Sequence, residues 1–352
     1  MSKQNGEITY REIYSQPGAF RAVLDTLPQA RATLDKVFEE RYDELIFTGC
    51  GTSLYLAQTA AYVFSLYNAT PAKAVCCSEL YYAPDAYIKG RTLVLPMTRK
   101  SVTSEVRMAI DRVRQLERVR TLAITCDAGS AEYNDDILLC PGIDEKSIIM
   151  TSSFTAMVLM AQIVALHAAG RTEALEALSA VPALADRAIP QMDQLAERIV
   201  RENPALDLYV TLGQGAYYGI ASESMNKMKE MGLTNSEAYY TLEYRHGPMS
   251  LVTDKTLIVL LPSPETAEAD AALLRQMEGY GAVTASLGEA ADRVGGRYVL
   301  PIEGGLMDVL PVAVIFSQLL GYHIALHKDI DPDAPRHLSL AIVLDQQGSR
   351  KA

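Results

Sequence analysis

ELIFTGCGTSLYLAQTAAYVF (44–64) and DLYVTLGQGAYYGIASESMNKMKE (207–230) decide the fold. Each opens with a short apolar run, turns on Gly-x-Gly and continues as a long stretch of helical character. The first glycines of the two turns, Gly49 and Gly213, stand 164 positions apart. Beyond each helix comes a second apolar strand, RTLVLP from Arg91 and KTLIVLLP from Lys255, again 164 apart. A third follows in each half, RTLAITCD (120–127) and AVTASLG (282–288). A constant offset across independent elements marks a duplicated unit. Strands alternating with helices predict an α/β chain, with a parallel, doubly wound sheet flanked by helices in each half.

Outward from these stretches the chain divides into five parts. Residues 1–35 read as an N-terminal helical arm, followed by the first α/β domain at 36–170. Residues 171–205 read as a helical connector broken at Pro182 and Pro190 and ended by Pro204, the second domain covers 206–340, and 341–352 form a C-terminal tail. At 352 residues there is enough chain for two cores of ordinary domain size.

Composition narrows the function. The net charge is −11 and the basic residues are scattered, which speaks against nucleic-acid binding. No window approaches 18 consecutive apolar residues free of charge, Gly or Pro, so no membrane span is expected. The opening MSKQNGEITYREIYSQPG lacks the apolar core of a secretory signal, and a cytoplasmic location is expected. The five cysteines, Cys50, Cys76, Cys77, Cys126 and Cys140, show no C-x-x-C spacing, so neither structural disulfides nor a metal site is expected. Leu54 stands where a dinucleotide fingerprint needs its third glycine, and no Gly-Lys-Ser/Thr of a P-loop follows GCGTS. No cofactor is expected.

Open parallel sheets bind ligands at the carboxyl ends of their strands. The loop GCGTS (49–53) lies at such an end, where Gly49 and Gly51 let backbone approach a ligand and Thr52 and Ser53 offer hydroxyls and N–H groups at a helix start. The loop LPMTRKSVTSEV (95–106) gathers Thr98, Ser101, Thr103 and Ser104 with the cations Arg99 and Lys100. That composition fits a phosphate cradle, and equally a hydroxyl-rich helix cap. The second half has PSPETAE (262–268) there, without a cation. In KEMGLTNSEAYYTLEYRHGP (229–248), Glu230 precedes His246 by sixteen residues, and Gly247-Pro248 fixes the histidine in a turn. A carboxylate can move a proton beside a carbonyl and an imidazole can serve a ring oxygen. A surface glutamate and a turn histidine fit the same stretch.

Taken in order, these pieces resemble the SIS (sugar isomerase) family, above all the isomerase half of glutamine–fructose-6-phosphate aminotransferase and its stand-alone deaminase and deglycase relatives. YREIYSQPGAFRAVL (10–24) resembles the family's opening helix, GCGTS its first sugar loop and CSEL (77–80) its SEF-type segment. TRKSVTSEV (98–106), EKSIIMTSSFT (145–155), EYRHGP (243–248) and DPDAPRHL (331–338) are similar to its later motifs. The resemblance implies two tandem SIS domains and a homodimer with shared active sites. It implies that Glu230 shuttles a proton between C1 and C2 and that His246 assists ring opening. Cys50, Gly51, Thr52, Ser53, Thr98, Arg99, Lys100, Ser101 and Thr103 would line the sugar phosphate, and Glu145, Thr151 and Ser152 a further wall. Glu223, seven residues before Glu230 on the same helical face, would orient it or the substrate.

Three departures shape the expected activity. The chain opens on the helix without a preceding glutaminase domain, so glutamine-dependent synthesis is not expected. Lys100 and Ser101 replace a Ser and a Gly of the family loop. Leu340 stands where the synthase has its Schiff-base lysine, and leucine forms no imine. The expectation is a phosphosugar-processing enzyme acting on an aminated or glycated sugar phosphate, as a deglycase or glucosamine-6-phosphate deaminase. The alternatives are an aldose–ketose isomerase and, in another class, a non-catalytic sugar-phosphate sensor.

Overall fold

The structure is a computed structural model that describes residues 5–344. Residues 1–4 of the expected arm and 345–352 of the expected tail lie outside the described residues. Two parallel sheets of five strands carry the molecule. The first comprises β1 (Glu44–Gly49), β2 (Ala72–Cys76), β3 (Thr92–Thr98), β4 (Val119–Thr125) and β5 (Asp136–Leu139). The second comprises β6 (Leu208–Gly213), β7 (Asn235–Tyr239), β8 (Thr256–Leu261), β9 (Val283–Gly288) and β10 (Tyr298–Pro301). Their orders, β2-β1-β3-β4-β5 and β7-β6-β8-β9-β10, are the same topology twice. The repeat in the sequence is therefore a repeat of the fold.

Burial follows the topology. Strands β3, β8 and β9 are buried at every residue, as expected where helices cover both faces, whereas the edge strands β7 and β10 are only partly buried. Pro96 lies inside β3, and pairing with β4 lapses at Leu95 and Pro96 before resuming at Met97. A proline has no N–H to give that ladder.

The chain divides into two compact units. The first-sheet unit comprises Gly18–Glu145 and Ser152–Ser179 with the chain from Ser339 on; the second-sheet unit comprises Lys146–Thr151 and Ala180–Leu338 with the chain up to Pro17. In the second unit the helix Glu7–Tyr14 is capped by two carboxylates of the DPDAPRHL motif. The Gly6 N–H donates to Asp331 Oδ1 at 2.8 Å, and the Ile8 and Thr9 N–H groups donate to Asp333 at 2.9 and 2.8 Å. Otherwise orphaned donors at a helix start thereby find acceptors of favourable charge.

One expectation about helices needs correction. The segment 171–205 does break just before Pro182, where a 3-10 turn (Leu178–Ala180) separates the helix Thr172–Ala177 from the helix Val181–Glu202, but it is not broken at Pro190, which lies inside that second helix. Pro182 sits in its first turn, where no intrahelical N–H is needed. Pro190 costs a hydrogen bond, about 3 kcal/mol. Burial of Leu184, Ala185, Ile189, Met192, Ala196 and Ile199 along one face offsets that loss. The segment LMDVLPVAVIFSQLLGYHIALH carries Asp308, Pro311 and Gly321, in keeping with the expectation of no uninterrupted apolar run. Among the described residues this one helix, Leu306–His327, is long and apolar enough to cross a membrane, and 89% of its most apolar window is buried within the protein as a core helix.

Candidate active site

The carboxyl ends of β1 and β6 explain why both turns begin on glycine. A Cβ at Gly49 would lie 2.6 Å from the backbone carbon and oxygen of Ser53, and one at Gly213 would lie 2.5 Å from the carbonyl oxygen of Tyr217. The first turn of the following helix thus presses against the strand end in each half. Gly51 has open space around it but takes φ 54°, a left-handed conformation that glycine adopts without strain. The Ser53 N–H donates to the Cys50 carbonyl at 3.1 Å and folds the loop back onto the helix start, where Thr52 and Ser53 are buried.

The loop after β3 divides its polar residues between structure and surface. Arg99 turns inward, is 8% exposed, and donates to Glu145 Oε2 and to the Leu340 carbonyl, each at 3.1 Å. Glu145 also accepts from Ser152 Oγ at 3.0 Å and from the Ser153 N–H and hydroxyl at 2.8 and 2.6 Å. It therefore caps the helix Ser152–Ala168 while neutralising Arg99. Ser101 is bonded to the Ser130 hydroxyl, and Thr98 donates to the Lys100 carbonyl at 2.8 Å. Lys100 is exposed, so the structure separates the two cations expected to act together. Thr103 is the residue before the helix Ser104–Val113 and makes no side-chain cap there. The Ser104 N–H donates to the Ile342 carbonyl at 3.0 Å. Thr151, in the second-sheet unit, is buried and its carbonyl accepts from Gln318 Nε2 at 3.3 Å.

The helix Tyr217–Gly232 follows β6 and carries Glu223, Lys227 and Glu230 on one face. Lys227 and Glu223 are fully buried, and Lys227 Nζ lies 3.1 Å from Glu223 Oε1 and is ion-paired with Glu230 Oε2. Burial opposes the lysine's charge, but the two carboxylates outweigh it and hold its pKa above the ordinary lysine value. Glu230 keeps 21% of its side chain exposed, and its other oxygen accepts from Asn226 Nδ2 at 3.0 Å. One carboxylate is therefore clamped from behind and open in front. Lys227 was not singled out in the sequence, although the spacing Glu-x3-Lys-x2-Glu places the three as helical neighbours.

His246 follows the turn Leu242–Arg245 and is exposed, while its neighbours are anchored. Tyr244 is fully buried, and Arg245 Nε donates to Gln276 Oε1 at 2.9 Å. Gly247 at φ 123° makes the bend that only glycine takes easily. No hydrogen bond joins His246 to Glu230 among the described residues. Lys328 donates to the Gly232 carbonyl at 2.9 Å, closing the end of the Glu230 helix, and its pKa is lowered by burial. Leu340 is 44% exposed.

Comparison with known proteins places these features in a lineage. The SIS domain family model matches residues 40–167 and 209–290. Glutamine–fructose-6-phosphate aminotransferase of Acidithiobacillus ferridurans is 30% identical over 366 residues, covering 95% of this chain and 58% of that protein. The chain spans 57–58% of the length of the curated relatives it matches. The crystal structure of glucosamine-6-phosphate deaminase from Thermotoga maritima is 28% identical, with a TM-score of 0.74, and the match covers 93% of this chain and 99% of that one. Tagatose-6-phosphate ketose/aldose isomerase from Escherichia coli shares the fold at a TM-score of 0.84 and 23% identity, over 97% and 98% of the two chains. With both duplicated halves matched by one family model and their sheets built to one topology, the chain belongs to the SIS domain family.

Proposed function

We propose that this chain is an enzyme that moves a proton between neighbouring carbons of an aminated or glycated sugar phosphate, in the manner of a deaminase or deglycase. One observation carries the reading: Glu230 presents a partly open carboxylate whose back is held by the fully buried Lys227. Each oxygen has one protein donor, and a carboxylate has about four acceptor sites, so acceptor capacity remains for a substrate proton. Glu230 takes a proton from the carbon beside the carbonyl or imine and returns it to the next carbon. His246 exchanges the ring oxygen's proton during opening. The loops at Cys50–Ser53 and Thr98–Thr103 hold the phosphate, with Lys100 as the exposed cation and Arg99 as the buried strut beneath it.

Nitrogen on the substrate is central to this proposal. Leu340 has no amine, and Lys227 is charged and fully buried, so neither can form an imine with the sugar. A substrate that already carries nitrogen at C1 or C2 supplies that function itself. Relatedness to a glucosamine-6-phosphate deaminase at 28% identity over nearly the whole of both chains supports the same choice. The protein is proposed to work as a homodimer.

The test is to incubate the protein with glucosamine-6-phosphate and a panel of phosphorylated Amadori compounds and to assay free ammonia and amines. Release of one of them is expected. Interconversion of ketose and aldose phosphates without amine release would make the protein an isomerase, and saturable binding without turnover would make it a sensor.

A further inference from the structure

The strand register brings together cysteines that the sequence keeps far apart. Gly49 of β1 pairs with Cys76 of β2, so the next residues along, Cys50 and Cys77, leave adjacent strand ends side by side. Neighbouring strands run about 4.8 Å apart, inside the roughly 4.4–6.8 Å Cα separation that a disulfide spans. Cys50 packs against the buried apolar cluster that contains Cys77, and Cys77 Sγ lies 3.3 Å from the Thr48 hydroxyl. Cys50 is partly exposed and Cys77 is buried behind it, and both carry free thiols. We infer that Cys50 and Cys77 form a reversible disulfide under peroxide and that this bond switches off the sugar loop GCGTS.

The chemistry balances with hydrogen peroxide as the oxidant. The Cys50 thiol, the member that solvent reaches, gives its sulfur to peroxide, forming a sulfenic acid and one water. The Cys77 sulfur then attacks the Cys50 sulfur, the S–O bond breaks, and a second water leaves with the Cys77 proton. Cys77, buried beside it with its sulfur against the Thr48 hydroxyl, is placed to act as the resolving thiol. A thiol reductant reverses the bond.

The consequence for the loop follows from its packing. Cys50 follows Gly49, which has no room for a Cβ against Ser53, and its own carbonyl accepts the Ser53 N–H. Drawing its sulfur toward β2 therefore displaces the turn that sets Thr52 and Ser53. This effect on ligand binding rests on the proposed phosphosugar reading of the loop; the cross-link itself does not. A second pair, Cys126 and Cys140, follows the β4–β5 register pair Thr125 and Leu139 and provides an internal comparison.

The test treats the full chain with hydrogen peroxide and maps its peptides without reduction, alongside Cys77→Ser. The expected product joins the peptides holding Cys50 and Cys77, is absent from Cys77→Ser, and disappears with dithiothreitol. Affinity for fructose-6-phosphate, measured by calorimetry, should fall about tenfold or more on oxidation, the loss of one hydrogen bond to a charged group, and return on reduction. Cys77→Ser should keep its affinity through the same treatment. Oxidation that stops at a sulfinic or sulfonic acid on Cys50, or cross-linking confined to Cys126 and Cys140, overturns the pairing. A Cys50–Cys77 bond that leaves affinity unchanged overturns the switch. Failure of the reduced protein to bind fructose-6-phosphate would count against the phosphosugar reading and remove the switch with it, while the peptide map would still decide the cross-link.

Discussion

Lys227 is the residue on which the second-half site turns. A fully buried cation between two carboxylates is costly to desolvate, and it is tolerated because both carboxylates lie within ion-pair distance and Glu230 also accepts its hydrogen bond. Replacing it by an apolar group of similar length leaves Glu223 buried without its cation. Lys227→Met should therefore lower stability by about 3–5 kcal/mol at neutral pH, measured by urea unfolding. The pH dependence has a definite sign. In the parent the folded lysine pKa is raised, so its contribution is complete below the unfolded value of 10.5 and is lost as pH rises through the folded one. In the variant Glu223 loses the Lys227 cation while staying buried, which raises its folded pKa, so the deficit should shrink as pH falls and the carboxyl protonates. An unfolding midpoint within experimental error of the parent would remove the triad from the account.

The phosphate loop separates the roles of two adjacent cations, and its reading is tested there. Lys100→Ala removes an exposed charge and should raise KM for a phosphorylated substrate roughly ten- to a hundredfold, the loss of a charge-assisted contact, with stability unchanged. Equal losses for phosphorylated and unphosphorylated sugars would place Lys100 outside the phosphate site. The sequence made the loops visible because a parallel strand ending in glycine and followed by a helix leaves a local pattern. It also made the duplication visible, since Gly49 and Gly213 answer the same crowding. It could not say that Arg99 turns inward, because Glu145 lies 46 residues away and only the fold brings them together. Lys227 escaped notice for a related reason: a lysine on a helix reads as solvent-facing until burial of the whole face is known. Pro190 misled because local propensity was weighed without the apolar face that holds the helix Val181–Glu202 in place.

At the scale of the whole molecule, Glu230 and His246 belong to the same compact unit, yet no hydrogen bond joins them, and the proposed homodimer gives the histidine a different partner. If each site takes Glu230 from one chain and His246 from the other, mixed Glu230→Gln and His246→Ala dimers should regain up to about half the parent activity, one site being intact. Mixed dimers as inactive as either parent variant would show that both residues act from one chain. The central claim is narrower than the dimer and does not depend on it: Glu230 carries the proton between carbons. The most direct measurement is proton NMR of the substrate that turns over, in deuterated water, with the parent protein and with Glu230→Gln. The parent should place deuterium at C1 or C2, and the variant, which keeps the shape but has no carboxylate base, should do so at least about 10²-fold more slowly. Deuterium uptake in Glu230→Gln within about tenfold of the parent rate would contradict the account.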